Sequence, residues 1–148
     1  MTILSLLLLV GLFLPFVYLL VMALASIRPA RPVRWQEKPA SLNFAIAIPA
    51  HNEDTVIAAT VQRLLALNYP RDQFAIHIVA DHCNDQTAQL AREAGALVHE
   101  RNQGPRSGKG AALSWLFERI LQNPRVDAVI IFDADKRVDA NFLRLMDA

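Results

Sequence analysis

The chain has 148 residues, a formal net charge of +1, one cysteine and 53% hydrophobic residues. That length fits one domain. The single cysteine excludes an internal disulfide, and the near-neutral charge comes without the basic stripe and interleaved aromatics that nucleic-acid binding needs. Cys83 reads as a small loop residue in a reducing compartment.

Apolar residues are concentrated at the N-terminus. Ile3 to Ala25 carry no charge, and as a helix they match the ~30 Å of a bilayer core. Residues 1–27 are therefore expected to form one transmembrane helix, with Pro15 tolerated inside it. A cleavable signal peptide is the rival, since Ala23 and Ala25 imitate a cleavage site, but no basic residue precedes the apolar run. A buried soluble helix is disfavoured because the segment has no polar face.

Residues 28–41 read as a basic, proline-rich linker. Arg28, Arg31, Arg34 and Lys38 stand against one acid, Glu37, which by the positive-inside rule keeps this flank in the cytoplasm. Pro29, Pro32 and Pro39 make it an extended spacer, and Trp35 suits the headgroup level. The expectation is a single-pass protein of the inner cell membrane with its following domain, 42–148, in the cytoplasm.

That domain alternates strands and helices. Phe44–Ile48 reads as an interior strand ended by Pro49. A helix follows from about Asp54, with Asn52 or Asp54 as N-cap and Ile57, Val61, Leu64 and Leu65 on one face. Phe74–Ala80 is a second strand ending at Asp81. Asn84 and Asp85 open another helix that stops at Gly95. Ala96–His99 is a brief third strand, Arg101–Gly110 a glycine-rich basic loop, and Ala111–Leu121 a helix. Val129–Phe132 is a fourth strand running into Asp133 and Asp135, and Val138–Asp147 reads as a last helix. The alternation predicts right-handed βαβ crossovers and a parallel α/β sheet.

Parallel strands deliver their ends to one edge, where ligands of open α/β sheets bind. Here those ends carry Pro49 to Glu53, Asp81, Asp133 and Asp135. Two acids spaced i, i+2 suit a hard divalent cation carrying a phosphate-bearing substrate, although capping and loop solvation explain such acids equally well when the pair is taken alone. The loop Gly104-Pro105-Arg106-Ser107-Gly108-Lys109-Gly110 fails as a Walker A. Only three residues separate Gly104 from Gly108, and Gly110 follows the lysine where Ser or Thr is required. Its amides still precede a helix N-terminus, which favours phosphate. The first strand lacks the glycine pattern of a nicotinamide or flavin site. Among the four histidines, His77 inside a strand reads as packed or hydrogen-bonded, His51 and His82 lie in site loops, and His99 carries no clear signal.

Ile48-Pro49-Ala50-His51-Asn52-Glu53, Val79-Ala80-Asp81-His82-Cys83-Asn84-Asp85-Gln86-Thr87-Ala88, Gly108-Lys109-Gly110-Ala111-Ala112-Leu113 and Phe132-Asp133-Ala134-Asp135 together resemble glycosyltransferase family 2 in order and spacing. The resemblance covers Phe44 to the C-terminus. It implies the Rossmann-like GT-A fold, incomplete here, and an inverting transfer from a nucleotide-diphosphate sugar, with a UDP-sugar the first expectation. It also implies Mg²⁺ or Mn²⁺ as cofactor and a saccharide or lipid-linked acceptor. Carried over by position, Pro49, Ala50 and Glu53 line the nucleoside pocket, Asp81 meets the base and Lys109 lies near the nucleotide. Asp133 serves the ribose or metal side, and Asp135 the metal.

Ala80 stands where many members have a second acid. The catalytic base is expected beyond Ala148, which makes the chain a fragment with little turnover of its own. Asp139 and Asp147 sit too close to the D-x-D to serve as base and are assigned to the surface. Three rivals remain: a sugar nucleotidyltransferase, whose glycine-rich loop should follow the first strand; a degenerate binding protein; and a membrane-tethered interaction domain with no nucleotide affinity.

Overall fold

The structure is a computed structural model and describes residues 2–27 and 39–148, the side chains of residues 4 and 6–10 excepted. The basic collar Arg28, Arg31, Arg34 and Lys38, with Pro29, Pro32 and Trp35, lies outside the described residues. The chain divides into two compact units, Met1–Arg34 and Trp35–Ala148.

The first unit contains helix α1, Ile3–Ser26, with Pro15 inside it. The transmembrane expectation is corrected: among the described residues, no helix is long and apolar enough to cross a membrane.

The second unit is built on a 4-stranded parallel sheet of order β3-β2-β1-β4, comprising β1 Phe44–Ala50, β2 Phe74–Asp81, β3 Leu97–Arg101 and β4 Ala128–Ile131. The helices are α2 Ile57–Leu65, α3 Thr87–Glu93, α4 Lys109–Ile120 and α5 Phe142–Met146. The chain steps outward from β1 through β2 to β3, then returns to place β4 on the other side of β1. Strand order therefore reverses at β1/β4, and the carboxyl ends of these strands flank a topological switch point.

Strand alternation sorts the core into two layers. Phe44, Ile46, Ile48 and Ala50 face α2 and α3, meeting Ile57, Val61, Leu64 and Ala91, with Leu143 of α5 in the same cluster. Ala45 and Ala47 point the other way, where their small side chains let Ala112, Leu116 and Ile120 of α4 pack beside Val79. β1 extends past Ile48 to Ala50 and so contains Pro49. The strand tolerates it because β4 pairs with β1 only as far as Ala47–Ile131, so no ladder continues on that side.

Three helices begin later than the periodicity predicts. Asn52 and Asp54 do not cap α2, whose N-cap is Val56 without a side-chain hydrogen bond. Asn52 Oδ1 instead accepts the Asn84 N–H at 3.0 Å, and the Asp54 N–H donates to Asp85 Oδ2 at 3.2 Å. Asp85 Oδ1 accepts the Thr87 N–H at 3.0 Å, which holds residues 85–87 in a turn before α3. Asp139 Oδ1 accepts the Asn141 N–H at 2.8 Å in the same way and delays α5 to Phe142.

Asp147 is not simply a surface acid. Its carboxylate accepts the Ser41 N–H at 2.8 Å, the Ser41 hydroxyl at 2.7 Å and the Tyr69 hydroxyl at 3.0 Å, and it thereby ties α5 to the residues that lead into β1. Burial and the neighbouring Asp147 push the Tyr69 hydroxyl pKa up to about 12.

His77 and His99 stack on the sheet face that α4 covers, with ring centroids 5.4 Å apart and His77 Nδ1 3.2 Å from His99 Nε2. Burial, aided by the positive field of His99, lowers the His77 pKa to about 4, and burial lowers that of His99 as well. Both rings are therefore favoured as neutral in the folded state. The stability this confers is complete above the unfolded value near 6.5 and is lost as pH falls toward 4. Between pH 7 and 5 the protein is expected to lose about 1–2 kcal/mol from this pair, before the carboxylates titrate. Urea unfolding of His77→Phe should show a flatter pH dependence across that window than wild type.

Candidate functional site

The carboxyl ends of β1, β2 and β4 and the N-terminus of α4 surround a cavity of about 320 Å³. Pro49, Ala50, Glu53, Asp81, Lys109, Asp133 and Asp135 all line it, so the structure brings every sequence-nominated site residue to one place. His51, Arg106, Ala112 and Ala134 complete the wall.

The β1 and β2 loops are stitched together residue by residue. His51 Nδ1 lies 2.8 Å from the Asp81 carbonyl oxygen, Asn52 holds Asn84, the Glu53 N–H donates to Thr87 Oγ1 at 2.7 Å, and Asp54 holds Asp85. Asn52 meets the bend with φ 55, a left-handed conformation that asparagine tolerates. Cys83 belongs to the same seam, its Sγ 3.6 Å from the Ala50 carbonyl oxygen, and burial raises its thiol pKa. These contacts make it a packing group rather than a nucleophile.

The opposite wall is basic. Gly108 is the N-cap of α4 at φ 86, ψ 178, a conformation close to glycine-only. It turns the chain so that α4 starts at Lys109 beside the cavity. The positive end of the helix dipole then adds to Lys109 and Arg106, an arrangement that favours phosphate.

The acids differ in setting. Asp81 is 4% exposed and is paired with Arg101 and His82. Asp133 pairs with Lys109, whose hydrogen bond holds its carboxyl below the usual carboxylate range. Asp135 is more open, and its Oδ2 lies 3.5 Å from Lys136 Nζ. The turn carrying both acids is pinned from α2: the buried Thr60 hydroxyl donates to the Ala134 carbonyl at 2.5 Å. Thr60→Val should leave that carbonyl without its donor and cost about 1–3 kcal/mol. Thr60→Ser should preserve the stability, as read by urea unfolding.

Among the described residues, no group of three or more His, Cys, Asp or Glu is placed to hold a metal ion. The donor set nevertheless fits Mg²⁺ or Mn²⁺. Such ions are commonly held by one or two carboxylates plus substrate phosphates rather than by an all-protein cage. Asp133 and Asp135 offer two hard oxygen donors on the cavity wall, opposite a phosphate-favouring helix end.

Residues 45–146 match the family model described as "Glycosyl transferase family 2". The chain belongs to glycosyl transferase family 2. It is 35% identical over 121 residues to a beta-monoglucosyldiacylglycerol synthase of Trichormus variabilis, an alignment covering 77% of this chain and 25% of that protein. This family 2 chain thus spans about a quarter of the length of that relative.

Two solved structures show the same GT-A fold. The mannosyltransferase PcManGT of Pyrobaculum calidifontis, in complex with GDP-Man and Mn²⁺, superposes with a TM-score of 0.61 at 21% identity, covering 87% of this chain and 37% of that one. TarS of S. aureus, in complex with UDP-GlcNAc, gives a TM-score of 0.62 at 18% identity, covering 71% and 30%.

Residue patterns in the sequence did not single out Arg101, Arg106 or Thr60. Arg106 stood inside the basic loop, and its charge beside Lys109 was the available signal. Thr60 carried none, and Arg101, which opened the same basic loop, gave only its charge, because their roles arise from partners 74 and 20 residues away.

Proposed function

We propose that this chain is the donor-binding portion of an inverting glycosyltransferase that takes a nucleotide-diphosphate sugar, with uridine as the nucleoside. The observation that carries this reading is the single cavity at the β1/β4 switch point, which gathers a buried acid, a basic helix end and a pair of carboxylates. Asp81 reads the base, with Pro49, Ala50 and Glu53 around the nucleoside. Arg106, Lys109 and the amides opening α4 hold the diphosphate. Asp133 and Asp135 hold Mg²⁺ or Mn²⁺, which when bound neutralises charge on the departing diphosphate.

Inversion requires an acceptor hydroxyl to approach the anomeric carbon opposite the diphosphate while a base removes its proton. No acid beyond Asp135 lines the cavity among the described residues, and we place that base outside residues 1–148. The glycolipid product named for the Trichormus variabilis relative supports a lipid hydroxyl as acceptor, and with it an active site working at the cytoplasmic face of a membrane.

The test is calorimetric titration of UDP in Mn²⁺ and in EDTA. Saturable binding that strengthens with Mn²⁺ is expected. Absence of nucleotide binding under both conditions favours the interaction-domain reading instead.

A further inference from the structure

Asp81, the acid assigned above to the nucleobase, is the most deeply buried of the cavity's carboxylates, and one of its oxygens is already occupied. Arg101, at the end of β3, donates Nη1–H to Asp81 Oδ1, and His82 places Nδ1 3.0 Å from the same oxygen. Both side chains also reach the basic loop. Arg101 Nη2 donates to the Pro105 carbonyl at 3.2 Å, and His82 Nε2 lies 2.9 Å from the Gly104 carbonyl. Arg101 therefore bridges Asp81 to the segment that carries Arg106 and Lys109, and His82 stands between the same two, its single N–H donated to one of them when the ring is neutral. Among the described residues, Asp81 Oδ2 makes no hydrogen bond.

We propose that Arg101 and His82 are positioning residues that commit one oxygen of Asp81 to the basic loop and leave the other to accept a single N–H, so that a base edge with one donor is selected over one with two adjacent donors. This rests on the donor-site reading above. Uracil presents one N–H between two carbonyls, whereas guanine presents a ring N–H beside an amino group. A carboxylate takes such a pair of donors best with both oxygens free. Here the second guanine donor would compete with a guanidinium already in place.

Burial by itself raises the Asp81 pKa, but the hydrogen bonds from Arg101 and His82 outweigh it and hold the carboxyl below the usual range. The acid is thus an acceptor only, as the selection requires. Because the Gly104 and Pro105 carbonyls rest on the same two side chains, base reading and placement of the diphosphate arm are mechanically joined.

Calorimetric titration of UDP and GDP, each with Mn²⁺, into the intact protein tests this. Wild type should prefer UDP by about 10-fold or more. Arg101→Met should weaken UDP binding by about 10-fold and bring the UDP/GDP ratio toward one, and Arg101→Lys should restore part of the ratio. His82→Asn keeps a residue suited to the left-handed φ of 53 at that position and should lower the ratio by about 3-fold. If Arg101→Met does not fold, His82→Asn decides by the same ratio. A folded variant that loses UDP affinity with its ratio unchanged overturns the proposal, as does a wild type that prefers GDP. A wild type that binds neither nucleotide removes the donor-site reading itself.

Discussion

With Mn²⁺ present, Asp133→Ala is expected to bind UDP about 100-fold more weakly than wild type, while in EDTA it binds no worse than wild type. The asymmetry follows from the ion pair between Asp133 and Lys109. Without a metal, the lysine that should meet phosphate is held by the carboxylate, and that carboxylate also repels the diphosphate. Removing Asp133 frees Lys109 and deletes the repulsion, but it takes away one of the two proposed metal donors. Asp135 is not tied to Lys109; its cationic neighbour is Lys136 at 3.5 Å. Asp135→Ala should therefore lose the Mn²⁺-dependent gain without any improvement in EDTA. Calorimetry of both variants in both buffers reads all four cases. An Asp133→Ala protein that still responds fully to Mn²⁺ would show that the metal sits elsewhere.

The largest effect on stability is expected at Leu116. Its side chain is fully buried in the layer where α4 lies over Ala45 and Ala47. Those alanines cannot extend into a cavity left beside them, so Leu116→Ala should cost about 3–4 kcal/mol, in the upper part of the usual range. Urea unfolding should show the midpoint fall at unchanged slope. The change reaches function as well, because α4 carries Lys109 at its first turn. Nucleotide affinity should fall in parallel with the folded fraction but recover at low temperature or low urea. A Leu116→Ala protein within 1 kcal/mol of wild type (roughly the effect of a tolerated volume change) would mean that α4 is held mainly from elsewhere.

The order of strands and the edge bearing the site were legible because they rest on local signals. Apolar runs such as Phe44–Ile48 and Val129–Phe132 mark strands wherever they occur, and βαβ handedness then puts their ends together. What escaped were side chains that choose distant partners. Asn52 has the form of a helix cap, yet its oxygen takes the Asn84 N–H. Asp147 follows a short amphipathic stretch and looks solvated, yet it clasps Ser41 and Tyr69 across the fold. Thr60 is an ordinary polar residue on a helix until the carbonyl of Ala134 comes to lie over it. In α1 the helix formed where it was expected, but among the described residues no helix is long and apolar enough to cross a membrane.

The seam between residues 51–54 and 81–87 has a kinetic consequence. The amides of Glu53, Asp54 and Asn84 are each bonded across it, so they become open to solvent exchange only when the two loops part. Their hydrogen-exchange rates should then report one shared opening event rather than three local ones. That wall is expected to stay closed when a nucleotide binds. Any change on ligand entry is expected on the other side of the cavity, where Lys109 pairs with Asp133.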